Sequence, residues 1–279
     1  MGTEGIVNFD IFALMYSALR LSQKYAHYYL TAANGKGHGV HSPFVFDFIT
    51  RVLNDKTPYP EYKKVESLRR RLKKDATQLQ LEDMGAGSAS NAGSRRSVSS
   101  IARHAVKPKK YAQLLFRMAR YYQPEEILEL GTSLGLTTAY FSLAAPGGRV
   151  ITLEGAAAVA ACAKRNFEEL GLTNITLLPG NFDDTLQPAV EQFSSPGLIF
   201  IDGNHRKEPT IRYFEQLLKS VHNNSILIFD DIHWSREMED AWGQIRRHPA
   251  VQCTIDLFFI GIVFINPNFK IPQHFTIRF

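Results

Sequence analysis

Cysteine is scarce in this chain of 279 residues: there are two, Cys162 and Cys253, and neither belongs to a Cys-x-x-Cys pair. That excludes a disulfide framework and a cysteine-built zinc site, and it agrees with a reducing, cytoplasmic setting. Long apolar runs are also missing. The stretch Ile11-Phe12-Ala13-Leu14-Met15 is short and has Glu4, Asp10, Arg20 and Lys24 around it. Neither a membrane span nor a secretory signal is expected from it. There is no Gly-Lys-Ser/Thr loop for nucleotide phosphates and no internal repeat.

What the chain does have is an apolar content of 44% and a charged content of 21%, the balance of a folded protein. The length suits one full α/β domain with an appendage, or two small domains. Charge divides unevenly along it. Residues 1–110 carry 18 Lys and Arg against 9 Asp and Glu, a net of +9, whereas residues 111–279 carry 14 against 18, a net of −4. The break falls where the sequence pattern also changes, so residues 1–110 are expected to be a basic, helical extension and residues 111–279 the main domain. The extension reads as a substrate cap or an oligomerisation element, with a homodimer as the assembly it would allow. Its charge would attract an anionic partner or simply form a solvated face.

Helical spacing is expected over 10–32, where Phe12, Met15, Tyr16 and Leu19 share a face, over 42–53 with Pro43 in the first turn, and over 61–74. Residues 85–100 read as a loop rich in Gly, Ser, Ala and Asn, and a helix resumes from Lys109 to Tyr122. After Pro124 strands and helices alternate. Strands are expected at 127–130, 149–154, 175–178, 198–202 and 225–230. Helices are expected at 136–144, 156–170, 186–193, 209–218 and 235–246, the second closed by Gly171. The alternation then stops, and 251–258 and 261–265 read as an antiparallel hairpin. The fold class is therefore α/β, a doubly wound, mostly parallel, seven-stranded sheet of Rossmann-like type.

In such sheets a ligand sits beyond the C-terminal strand ends. The first strand runs into Glu129-Leu130-Gly131-Thr132-Ser133-Leu134-Gly135, whose glycines permit a tight turn. The second ends in Glu154, which could accept hydrogen bonds from two ribose hydroxyls. A dinucleotide fingerprint would need glycine at 133 and 136, where Ser133 and Leu136 stand. The turn is thus better suited to a nucleoside without phosphates.

Taken with Thr152-Leu153-Glu154, Leu178-Pro179-Gly180-Asn181-Phe182-Asp183, Ile199-Phe200-Ile201-Asp202-Gly203-Asn204-His205 and Leu227-Ile228-Phe229-Asp230-Asp231, this motif resembles the class I S-adenosylmethionine-dependent methyltransferases. Within them it is most similar to the metal-dependent O-methyltransferases of catechol and macrolide-sugar type. The resemblance covers residues 111–279 and implies methyl transfer from S-adenosylmethionine to an oxygen of a small-molecule acceptor. It implies that Glu129, Gly131, Thr132, Ser133 and Thr137 line the methionine end of the cofactor. Glu154 with Gly155 would hold the ribose, Phe182 and Asp183 would lie against the adenine, and Asp202 would face the cofactor as well. Asp202, Asp230 and Asp231 match metal-ligand positions. Three converging carboxylates would accept Mg²⁺ or another divalent cation, which would lower the pKa of an acceptor hydroxyl.

The general base departs from the resembled pattern. Catechol-type enzymes carry a lysine at the position of His205, and macrolide-sugar enzymes carry an aspartate at that of Asn204. His205 is the candidate base, acting with Asp202, and His233 is the second candidate. Two further segments are set aside. Glu82-Asp83-Met84-Gly85-Ala86-Gly87-Ser88 imitates a cofactor loop, but no acid-ended strand follows it, so it reads as a flexible segment or a substrate lid. His38 and His41 have no companion ligands for zinc. The alternative functions are a nucleic-acid (RNA) methyltransferase using Arg69-Arg70-Arg71 and Lys73-Lys74 as a phosphate-binding face, or a cofactor-binding protein without catalysis. Against the former, no Asn/Asp-Pro-Pro-Tyr/Phe signature occurs.

Overall fold

A computed structural model describes residues 15–81, 94–266 and 269–279. The first turn expected at 10–14, the loop-like run from Glu82 to Ser88 and most of the expected loop at 85–100 lie outside the described residues. The extension opens with helix α1 (Ala18–Thr31), capped by Ser17, whose side chain accepts from the Arg20 amide. Helix α2 (Pro43–Phe48) continues as a π turn over Ile49–Leu53. Helix α3 (Pro60–Leu72) follows. Strands β1 (Gln78–Leu81) and β2 (Ser94–Ser97) form an antiparallel pair absent from the sequence reading. Helices α4 (Val98–His104) and α5 (Lys109–Tyr122) then lead into the sheet.

The alternating part runs β3 (Glu126–Leu130), α6 (Leu136–Ala144), β4 (Arg149–Glu154), α7 (Ala157–Leu170), β5 (Ile175–Pro179), α8 (Phe182–Val190), β6 (Leu198–Ile201), α9 (Lys207–Leu218), β7 (Ile226–Asp230) and α10 (Arg236–Arg247). Strands β8 (Cys253–Asp256), β9 (Ile260–Phe264) and β10 (Gln273–Thr276) complete it. The sheet order is β10-β8-β9-β7-β6-β3-β4-β5. Neighbours from β7 to β5 are parallel, and β9 is antiparallel to both β7 and β8. The doubly wound fold expected from the sequence is present with one strand more than expected. The extra strand, β10, pairs in parallel with β8. Its four residues alternate weakly, and its partner lies twenty residues earlier in the chain, so no local pattern announces it.

Strand order reverses beside β3, which has β4 on one side and β6 on the other. That switch point opens a crevice at the C-terminal strand ends. Strands β6 and β7 are buried throughout, as their apolar runs Leu198–Ile201 and Ile226–Phe229 require of central parallel strands.

No core boundary falls at residue 110. One apolar cluster joins Val45, Phe48, Val52, Leu68 and Ile101 of the extension to Leu115, Phe141, Phe200 and Ile262 of the main domain. Helix α1 and the residue after its cap are tied to the last described residues as well. The Tyr28 hydroxyl donates to the Ile277 carbonyl at 2.5 Å, and the Arg278 amide donates to the Ala33 carbonyl at 3.0 Å. No helix among the described residues is long and apolar enough to cross a membrane.

The basic run of α3 is not one exposed face. Arg69 is buried and Arg71 pairs with Glu169 of α7. Arg117 of α5 is buried as well and spans the two parts of the chain. Its Nε donates to the Val52 carbonyl at 2.7 Å and its Nη2 to the Leu53 carbonyl at 3.3 Å. These carbonyls belong to the π turn, where the regular helical bonds are disturbed. Arg117→Met keeps the apolar stem and removes both donors. It should lower stability by about 2–3 kcal/mol in urea unfolding, because buried carbonyls lose their partner. A loss below about 0.5 kcal/mol, the scale of an ordinary surface change, would show that water takes over the guanidinium's role.

Candidate functional site

A cavity of about 780 Å³ lies over the switch point. That is within the range of roughly 300–1,000 Å³ usual for small-molecule sites. Gly131, Ser133, Glu154, Gly155, Phe182, Asp202, His205, Asp230 and Asp231 all line it, as the sequence reading expected. Glu129, Thr132, Thr137 and Asp183 do not.

The floor is the turn after β3. Gly131 has φ of 104°, and a Cβ there would collide with the Asp202 carbonyl oxygen. Only glycine lets β3 and β6 run this close at their ends. The Gly131 and Thr132 amides both donate to the Leu153 carbonyl at 3.0 Å, fixing the turn to β4. Glu154 braces it from the side. Its Oε2 accepts from the Ser133 amide at 2.7 Å and its Oε1 from the Ala156 amide at 3.0 Å. Burial raises the Glu154 pKa, and these two amides work against the shift. Ser133, Asn204, His205 and Asp231 all have left-handed φ values despite their side chains. Strained backbone held in this way is characteristic of binding and catalytic sites.

Residues that miss the wall do so for definite reasons. Glu129 is fully buried beneath the turn, where its Oε2 accepts from Thr138 and, at 2.7 Å, from Thr152. Its other oxygen has no partner. Burial pushes its pKa up to about 8, with the hydroxyl bonds opposing and Glu154 adding to the shift. Thr132 is turned inward onto Thr152 at 2.6 Å. Thr137 is buried in the first turn of α6, and Thr138 rather than Thr137 reaches Glu129. Asp183 points out to Arg212 at 2.5 Å and to the Tyr213 hydroxyl at 2.8 Å. Phe182 does reach the cavity, its ring lying so close over Gly203 that a Cβ there would strike it.

His205 lines the cavity with Nε2 3.6 Å from Asp202 Oδ1, beyond hydrogen-bond reach. Burial above all lowers its pKa, which favours the neutral ring. His233 is excluded as a base. Its Nδ1 is 3.0 Å from Glu239 and its Nε2 2.8 Å from Asp256, so neither nitrogen is free.

The three aspartates converge, but the cation among them comes from the protein. Lys107, just before α5, forms an ion pair with Asp230 and lies 4.0 Å from Asp231 Oδ1. Lys107 and Asp230 are both buried. Burial works against the charge on Lys107, yet Asp230, Asp202 and Asp231 outweigh it and raise its pKa above the ordinary value. Burial, then the Asp230 charge, pushes Asp202 well above the usual carboxylate range and Asp231 up to about 7. The divalent ion implied by the sequence resemblance would have to stand close to that ammonium. Among the described residues no three His, Cys, Asp or Glu side chains are arranged to hold a metal ion. This donor set, closed by Lys107, does not fit one.

Sequence reasoning missed Lys107 because its partner Asp230 is 123 residues away. Nothing in Lys107-Pro108-Lys109-Lys110 distinguishes the first lysine from its exposed neighbours. The aromatic wall of Tyr111, Trp234 and Phe259 was missed as well, as were Arg96, Arg103 and His104 on the same cavity.

Comparison with known proteins follows the same lines. Residues 128–232 match the family profile of a methyltransferase domain. The chain is 34% identical over 146 residues to a catechol O-methyltransferase of Niastella koreensis, a match covering 51% of this chain and 62% of that protein. Among solved structures, it is similar to a methyltransferase of Podospora anserina bound to S-adenosylhomocysteine, with TM-score 0.55, 12% identity, and 89% and 96% of the two chains covered. It is also similar to an O-methyltransferase of tomaymycin synthesis from Streptomyces achromogenes, solved with S-adenosylmethionine, at TM-score 0.51 and 19% identity, covering 58% and 82%. These likenesses establish the fold.

Glu129 gives a pH prediction. A carboxyl whose folded pKa is raised stays protonated in the fold after the unfolded chain has ionised, so it favours unfolding increasingly as pH rises between the two values. Those values are the ordinary 4.5 and the folded value of about 8. Glu129→Gln lacks this slope. In thermal melts the variant should gain on the parent steadily from pH about 5 to about 8, the window set by that linkage. Parallel pH profiles would mean that the carboxyl ionises inside the fold as easily as in water.

Proposed function

We propose that this chain, whose residues 128–232 match a methyltransferase-domain profile and whose fold is similar to that of solved methyltransferases, moves the methyl group of S-adenosylmethionine to a hydroxyl oxygen of a small molecule. The observation that carries this reading is the turn Gly131-Thr132-Ser133 braced by Glu154 at the floor of a cavity on the switch point. Backbone and carboxylate, rather than a Gly-Lys-Ser/Thr phosphate loop, shape that floor, which suits a nucleoside cofactor.

Gly131 and Ser133 would take the methionine part, Glu154 and Gly155 the ribose, and Phe182 the adenine. When bound, the cofactor supplies an electrophilic methyl on a sulfonium sulfur. The acceptor would lie between Lys107 and the rings of Tyr111, Trp234 and Phe259. Its hydroxyl proton passes to the neutral His205 ring as the oxygen forms its bond to the methyl carbon. The electron pair of the carbon–sulfur bond would stay on the cofactor's sulfur, leaving a neutral thioether. Asp202, beside His205, keeps the resulting imidazolium in place. The aromatic wall also helps exclude water from the reaction.

A small acceptor is favoured over nucleic acid by the fate of the basic run, since Arg69 is buried and Arg71 is paired. The cytoplasm is the setting proposed, since Cys162 and Cys253 are free thiols.

Calorimetric titration with S-adenosylhomocysteine tests the cofactor site. The protein should bind it, and Glu154→Ala should weaken binding by about 10–100-fold, the loss expected for hydrogen bonds to a charged group. Absent binding, or equal affinity in the variant, would refute the site.

A further inference from the structure

We propose that Lys107 is the built-in cation of this site, so that the acceptor oxygen is held by its ammonium and no divalent metal is bound among Asp202, Asp230 and Asp231. The inference rests on the methyl-transfer reading above, and it departs from the metal-dependent pattern that the sequence resembles.

The geometry supports it in three ways. First, the position is taken. Lys107 Nζ is paired with Asp230 and lies 4.0 Å from Asp231, while Asp202 is on the same cavity wall. A metal ion ligated by these carboxylates would lie within a few ångströms of the ammonium, and like charges at that range repel strongly in a water-poor site. Second, the lysine is fixed from behind. Its own carbonyl accepts from Arg69 Nη1 at 2.9 Å, and Arg69 is in turn held by Glu66 at 3.0 Å. Pro108 follows and caps α5, so the backbone beneath Lys107 is stiff. Third, the ammonium has capacity to spare. It carries three N–H donors. Asp230 takes one, and the side chain lines the cavity, where a remaining donor can meet an acceptor oxygen. An acceptor hydroxyl can take that spare donor on its oxygen while its single proton stays free for His205, without any metal.

The proposed role is chemically distinct from that of a bound ion. A divalent cation polarises the acceptor hydroxyl by direct ligation. Lys107 would instead orient the oxygen and stabilise the negative charge that grows on it as His205 removes the proton. The product oxygen then has only a hydrogen bond to break on release, and no metal–oxygen bond.

Mn²⁺ titration followed by electron paramagnetic resonance tests this on the full-length protein, with S-adenosylhomocysteine binding measured in EDTA on the same sample. Wild type should leave the free-Mn²⁺ signal unchanged and bind S-adenosylhomocysteine equally well with or without EDTA. Lys107→Met, which removes the charge and keeps the stem, should open the carboxylate group and bind one Mn²⁺ per chain. Adding Asp230→Asn should abolish that binding. One tightly bound Mn²⁺ in wild type, lost in Asp230→Asn, would overturn the proposal. So would a folded Lys107→Met that takes up no Mn²⁺. If Lys107→Met does not fold, the wild-type titration decides alone, silence supporting the proposal and binding overturning it. Failure of S-adenosylhomocysteine binding in wild type would instead strike the cofactor reading.

Discussion

The pairing of Lys107 with Asp230 is the interaction around which the rest of the site is arranged. Both side chains are largely withdrawn from water. Removing one partner from such a pair usually costs about 3–5 kcal/mol, because the other is left buried and alone. The pair also joins two parts of the molecule of opposite net charge. Lys107 belongs to the basic extension and Asp230 ends the fifth strand of the alternating part. Two more exposed ties cross between the same parts: Lys24 to Glu239 at 2.9 Å, and Arg71 to Glu169. Part of the charge division visible along the sequence is thus met by pairing between the extension and the sheet domain.

From that pair the logic runs outward through backbone. Arg69 holds the Lys107 carbonyl, and Glu66 links Arg69 to Tyr140 of α6. On the sheet side, Asp230 stands one strand from Asp202, and Asp202 one strand from the glycine turn that β3 presents. Gly131 is glycine because the Asp202 carbonyl passes where a Cβ would be. The turn at the cavity floor and the Lys107–Asp230 side of the cavity are therefore parts of one connected unit. The left-handed backbone at Ser133, Asn204, His205 and Asp231 shows how tightly that unit is determined.

Much of this was legible in the sequence because it is local. The strand-end residues Gly131, Ser133, Glu154, Phe182, Asp202 and Asp230 lie where periodicity places the ends of parallel strands, and all of them reach the cavity. What the sequence hid depends on distant partners. Lys107 looks like any lysine before a helix until Asp230 is seen beside it. Strand β10 has no pattern of its own and exists through β8. Glu129 and Thr137 were assigned to the wall because the motif is read as a line of residues. The fold turns one under the floor and the other into α6. His233 has a histidine's usual promise, and Glu239 and Asp256, which occupy both its nitrogens, become its neighbours only in three dimensions.

The most direct test of the account is a crystal structure of the protein grown with S-adenosylhomocysteine and Mn²⁺, with anomalous scattering measured at the manganese edge. The account predicts the nucleoside over the Gly131–Ser133 turn, Lys107 reaching Asp230, and no anomalous peak among the three aspartates. A manganese peak at Asp202, Asp230 and Asp231 with the Lys107 side chain displaced would contradict it.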